Sequence, residues 1–143
     1  MDLKFLPYSL EVCINNYKRE LLFLESTYYE KYKVFEHTKK VINTVLGFPV
    51  EKVELAFETD KLVGVWLFTS ERKLEDLINV FESYYNVKAT KIDLDGFVET
   101  HTGIQYFWGN IEYIVGLGIK PYNDKAYIYI TLKHSNLYHI GWD

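Results

Sequence analysis

Residues 53–68, Val53-Glu54-Leu55-Ala56-Phe57-Glu58-Thr59-Asp60-Lys61-Leu62-Val63-Gly64-Val65-Trp66-Leu67-Phe68, decide how the chain is read. Val53, Leu55 and Phe57 alternate with Lys52, Glu54 and Glu58, the period of two of a half-buried strand. Thr59-Asp60-Lys61 supplies turn residues and predicts a hairpin. From Leu62 to Phe68 nearly every position is apolar. Val63, Val65 and Leu67 are expected on one face, and Leu62, Trp66 and Phe68 on the other. A strand apolar on both faces is a central strand, covered above and below.

Working outward, Ser70 is a helix N-cap candidate with Glu71 in the first turn, where the helix dipole favours a carboxylate. Leu74, Leu77, Ile78, Phe81 and Tyr85 follow helical spacing, and Asn86 is a C-terminal stop. Upstream, Ser9 caps a stripe of Leu10, Ile14, Tyr17, Leu21 and Leu24. Thr27 with Glu30 has the pattern of a capping box, which opens a second stripe of Tyr28, Tyr32, Phe35, Ile42 and Val45. Gly47 and Pro49 end it. One bent helix over residues 9–46 and a short strand at Tyr32–Phe35 are the alternatives. Downstream, Ala89–Leu94 and Ile104–Trp108 read as strands. Gly109-Asn110 reads as a two-residue turn before the alternation of Ile111, Tyr113, Val115, Leu117 and Ile119. Pro121–Asp124 is a turn, and Ala126, Ile128, Ile130 and Leu132 mark the last strand. The expected fold is α+β in one domain over residues 1–143. N-terminal helices are followed by an antiparallel sheet of about five strands with one inserted helix, in the order ααββαβββ.

At 143 residues the chain can bury a core without disulfide or metal staples. Its net charge of −4 and the absence of a basic cluster argue against nucleic acid and anionic membranes as partners. The single Cys13 excludes an internal disulfide framework and is expected to be a buried, inert thiol. The N-terminus has no basic stretch followed by an apolar one, so the expected location is cytoplasmic.

No residues form a recognisable catalytic motif, and no cofactor or metal is expected. His134 and His139 with Asp143 offer no helical ligand pair, and His37 and His101 stand apart from them. Asp93, Asp95, Glu99 and His101 are a candidate acid–base cluster only if a cleft gathers them; the plainer reading is a solvated hairpin end. Ser70 and Lys73 have nucleophile spacing without companion motifs. Gly116 and Gly118 lie inside a strand pattern, which suits close packing rather than a phosphate loop.

The remaining signal is aromatic: 13 tyrosines in a mildly acidic chain. Half-buried strand positions account for many of them. Tyr106, Trp108, Tyr113, Tyr127 and Tyr129 exceed what three strands need for one core. They are the expected partner-binding residues, with Glu54, Glu58 and Glu112 at the rim. Tyr127 and Tyr129 alternate with Ile128 and Ile130 and are expected to face outward. The function this suggests is a non-enzymatic protein-binding domain, of the immunity type that masks a toxin's active site. A basic toxin or a second copy of the chain would be its partner. The alternatives are a small-ligand-binding domain and a homodimeric structural protein.

Overall fold

The computed structural model describes residues 2–17, 19–24, 32–69, 74–91, 104–119 and 126–132. Those residues form nine strands, one α-helix and a 3-10 turn at Ile14–Tyr17. The strands are β1 (Leu21–Leu24), β2 (Tyr32–His37), β3 (Thr44–Val45), β4 (Phe48–Glu58), β5 (Lys61–Thr69), β6 (Thr90–Lys91), β7 (Ile104–Gly109), β8 (Tyr113–Ile119) and β9 (Ala126–Leu132). The helix, α1 (Leu74–Tyr85), lies between β5 and β6. One sheet runs β1-β2-β4-β5-β9-β8-β7-β6, with β3 paired to β4 off that path, and every pairing is antiparallel.

The hairpin at the centre forms as its alternation implies. Glu58 pairs with Lys61 across a two-residue turn in which Thr59 and Asp60 both have positive φ, 48° and 65°. That is the mirror-image turn whose twist matches antiparallel strands. The register shifts between Ala56 and Phe57, which pair with Gly64 and Leu62. Val63 is the extra residue of this bulge. The bulge reverses the expected faces of Leu62 and Val63: Leu62 joins Val65 and Leu67, while Val63 joins Trp66 and Phe68.

The expected architecture of N-terminal helices before a five-stranded sheet is overturned. Among the described residues of 9–46 there is no α-helix, and the sheet has nine strands. The apolar spacing read there as helical is also met by strands. Tyr32 and Val34 are buried on either side of exposed Lys33, and Leu21–Leu24 is apolar throughout. Tyr, Val, Phe and Thr, frequent here, fit a pleated surface better than a helix. Gly47 is no helix stop. With Leu46 it makes a second positive-φ turn, at 46° and 93°, which closes the β3–β4 hairpin. The expected caps Ser70, Thr27 and Glu30 lie outside the described residues.

Helix α1 buries Leu74, Leu77, Ile78 and Phe81 on one face of the sheet, and Asn86 follows it with a φ of 55°, as the stop signal implied. The same core cluster holds Leu55, Phe57, Val65, Leu67, Ile128 and Ile130, all buried as their spacing predicts. The opposite face holds a second buried cluster, and here the expectation of outward tyrosines fails. Tyr127 and Tyr129 have no exposed surface. Tyr129 stacks on its cross-strand neighbour Trp66 at 4.7 Å between centroids, and Phe68 lies 6.0 Å from Tyr127. Both faces of the central strands are therefore core. Gly116 and Gly118 pair with Tyr129 and Tyr127, leaving room for the rings beside them.

Candidate functional site

The N-terminal segment, expected to become helical at Ser9, instead runs as a strap tied down at both ends. Asp2 accepts hydrogen bonds from the Tyr84 hydroxyl (2.6 Å) and the Lys4 amide (3.0 Å), and its carbonyl accepts one from the Tyr85 hydroxyl (2.9 Å). At the other end the Glu11 amide donates to Leu62 O (2.6 Å), the Leu62 amide to Val12 O (2.8 Å) and the Ile14 amide to Asp60 O (2.7 Å). Glu11 takes a φ of 71° to make this junction. Cys13 bridges Lys61 there and is exposed, not the buried thiol expected, because the strap lies along a sheet end instead of turning its apolar side inward as a helix.

Midway, the strap carries Tyr8 into a buried polar latch. The Tyr8 hydroxyl lies 2.7 Å from Nδ1 of His37, and Nε2 of His37 lies 2.9 Å from Oε1 of Glu20. The carboxylate only accepts, so in the neutral ring Nε2 carries the hydrogen and Nδ1 accepts. Tyr8 then donates to Nδ1, and its oxygen accepts from the Val41 amide at 3.4 Å. The edge of Tyr17 closes over the imidazole at 5.2 Å between centroids. Burial pushes the Tyr8 phenol up to about 12.

Carboxylate, imidazole and hydroxyl in series have the order of a nucleophile relay. Here the hydroxyl belongs to a buried tyrosine committed to two partners, and its raised pKa disfavours the phenolate. The arrangement locks three chain segments together. Sequence reasoning missed it, because Glu20 and His37 meet only when β1 pairs with β2, which sets Leu21 opposite His37. The helical reading of this region hid that pairing.

Beside the latch opens a cleft of about 380 Å³ between the strap and the β7–β8 turn. Leu3, Leu6, Tyr8, Leu10 and Leu132 line it with apolar surface, and Ser9, Glu11, Glu112 and Tyr113 complete its wall. Glu11 and Glu112 are exposed. The turn is longer than the expected Gly109-Asn110 pair and spans Asn110–Tyr113. Asn110 Oδ1 accepts from the Glu112 and Tyr113 amides at 2.7 and 2.9 Å, and the Asn110 amide donates to Tyr113 O. These bonds hold Ile111 at the tip, 89% exposed, rather than in the strand alternation where it was placed. Burial, then the charges of Asp2 and Glu112, raise the Tyr113 phenol against the hydrogen bond from Asn110.

Of the eight expected partner-binding residues, Glu112 and Tyr113 stand at this cleft. Tyr106 is half-buried against the core under α1. Trp108 is buried, donates its indole N–H to Val87 O at 2.9 Å, and borders a smaller cavity of about 240 Å³ with Tyr85, Val87, Lys88, Thr90, Phe107 and Gly109. Tyr127 and Tyr129 are interior. Glu54 is buried and ion-paired to Lys52 at 2.9 Å, and the Lys52 ammonium also lies over the Phe68 ring at 5.3 Å. Glu58 is half-buried at the end of the central hairpin. The eight therefore do not share a surface. Alternation assigns a face to each residue, but not whether that face is covered.

Asp93, Asp95, Glu99, His101, His134, His139, Asp143, Ser70 and Lys73 lie outside the described residues. Among the described residues no three His, Cys, Asp or Glu side chains converge as a metal site would require, and no helix is long and apolar enough to cross a membrane.

No protein-family model matches the chain, and comparison with curated proteins and with solved structures returns no match.

Proposed function

We propose that the protein is a non-enzymatic binding module that docks a basic protein on the end of the sheet where the strap meets the β7–β8 turn. The observation that carries this reading is Ile111. A β-branched apolar side chain stands 89% exposed on a turn held by side-chain hydrogen bonds, next in sequence to exposed Glu112, which lines the leucine-rich cleft. An apolar anchor, a tyrosine and a rim of carboxylates are the elements of an interface hot spot for a positively charged partner. The net charge of −4 adds long-range steering towards such a partner. In the most concrete form of this reading the chain is an immunity-type protein, acting in the cytoplasm, and its partner is a basic toxin whose active site it covers.

The test is titration calorimetry against a candidate basic toxin. Ile111→Asp is expected to weaken binding by about 2 kcal/mol or more, and raised salt is expected to slow association. Wild-type affinity in a folded Ile111→Asp variant would refute the docking surface.

Self-association is a second reading, favoured by β1. Among the described residues this strand pairs with β2 alone, and its Leu22 and Phe23 are 54% and 55% exposed. An apolar edge strand is a template for another strand. Sedimentation of the wild type and of Leu22→Lys distinguishes the two: a dimer abolished by the substitution supports this reading, and a monomeric wild type removes it.

A further inference from the structure

The cleft has a shape and charge that restrict what can enter it. Its floor is leucine: Leu3, Leu6, Leu10 and Leu132. Its charged wall is Glu11 on the strap and Glu112 on the turn, both exposed, with Tyr113 beside Glu112. Asp2 lies close enough for its charge to act on the Tyr113 phenol. Lys4 offsets Asp2 in part, but it does not line the cleft. An anion would meet two carboxylates at the cleft wall. A wholly apolar group would fill the floor and desolvate the two carboxylates without compensating them, which is costly. A volume of about 380 Å³ is at the small end for ligand sites. It suits one long side chain rather than a nucleotide or a folded element.

A guest that matches all of these walls has an apolar stem and a cationic head. The stem packs on the leucines while the head stays at the wet mouth between the two glutamates. A flat guanidinium can also lie against the Tyr113 ring, and it offers several N–H donors for carboxylates approaching from two directions. Resting on the docking surface proposed above, we propose that the cleft receives an arginine side chain of the partner protein, with Glu11 and Glu112 as its counter-charges. The positive φ of Glu11 places this carboxylate: a residue there in ordinary extended backbone would leave the strap on a different course.

The test uses N-acetyl-arginine methylamide as the probe, followed by NMR on the methyl groups of Leu6, Leu10 and Leu132. Saturable shifts of these methyls are expected. The citrulline analogue has the same shape without the charge and is expected to bind about tenfold more weakly or worse, the scale of a lost charged hydrogen bond. The lysine analogue is expected to fall between them. Glu11→Gln with Glu112→Gln is expected to weaken the arginine probe by a similar factor. Ile111→Asp leaves the turn's hydrogen bonds in place and is expected to leave arginine binding undiminished. Equal binding of arginine and citrulline, or no saturable shift of the cleft methyls, overturns the inference. If that happens while Ile111→Asp still weakens toxin binding, the docking surface stands and only the arginine pocket is lost. If the probe binds but Ile111→Asp leaves toxin affinity unchanged, the pocket stands and the docking reading falls.

Discussion

The hydroxyl of Tyr8 sits 2.7 Å from Nδ1 of His37, buried, and donates to it. The tautomer of His37 is thereby fixed, with its hydrogen on Nε2 facing Glu20. In the neutral ring, nitrogen-15 shifts of the imidazole are expected to show protonated Nε2 and bare Nδ1. Tyr8→Phe keeps the ring but removes the donor and leaves a buried acceptor unmet. It is expected to cost about 1–3 kcal/mol in chemical denaturation. A cost near zero would show that the latch does not hold the strap.

The turn at Thr59 and Asp60 places a β-branched residue at a φ of 48°, a conformation suited to asparagine or glycine. Thr59→Asn with Asp60→Gly relieves that strain while keeping the turn. The double variant is expected to gain about 1 kcal/mol, read as a higher denaturant midpoint with an unchanged slope.

Burial raises the phenol pKa of Tyr8, to about 12, and also those of Tyr85 and Tyr127. Each folded value lies above the value near 10 of an unfolded tyrosine. Stability from these groups is therefore fully present below about pH 10 and is lost as pH climbs towards the folded values. Denaturant midpoints are expected to be flat up to that point and to fall above it. Absorbance near the phenolate band is expected to show these tyrosines ionising only as the chain unfolds. A smooth titration of every tyrosine around pH 10 in folded protein would contradict their burial.

Tyr127→Ser with Tyr129→Ser is expected to destroy the fold, not merely an association. Each truncation removes a large ring from a buried cluster, at a cost of about 3–5 kcal/mol for aromatic deletions of this kind. Phe81→Ala, under α1, is expected to cost a similar amount. Circular dichroism and cooperative unfolding of each variant decide the matter. A well-folded double-serine variant would return these tyrosines to the surface.

The central hairpin, α1 with its Asn86 stop, the last strand and the apolar core were legible because each rests on a local pattern. Val53, Leu55 and Phe57 show their period within five residues. The first 46 residues were not legible for a specific reason. Leu10, Ile14, Tyr17, Leu21 and Leu24 have helical spacing, yet β1 and β2 are stabilised by each other, a relation no local window contains. The same gap hid Glu20 and His37, which are separated in sequence and adjacent in the ladder. Glu112 and Tyr113 were read as surface residues of a strand. They come to a cleft because Asn110 closes a wider turn than Gly109-Asn110 alone would make.

Strand β9 follows every other described strand in sequence, yet it lies between β5 and β8 in the middle of the sheet. During synthesis the β4–β5 hairpin emerges long before its neighbour does. Until residues 126–132 leave the ribosome, β5 holds an open edge carrying Trp66 and Phe68, and β6, β7 and β8 can pair with one another but not with the β4–β5 half. The halves of the sheet can unite only when β9 arrives between them, a sequence of events that favours slow folding.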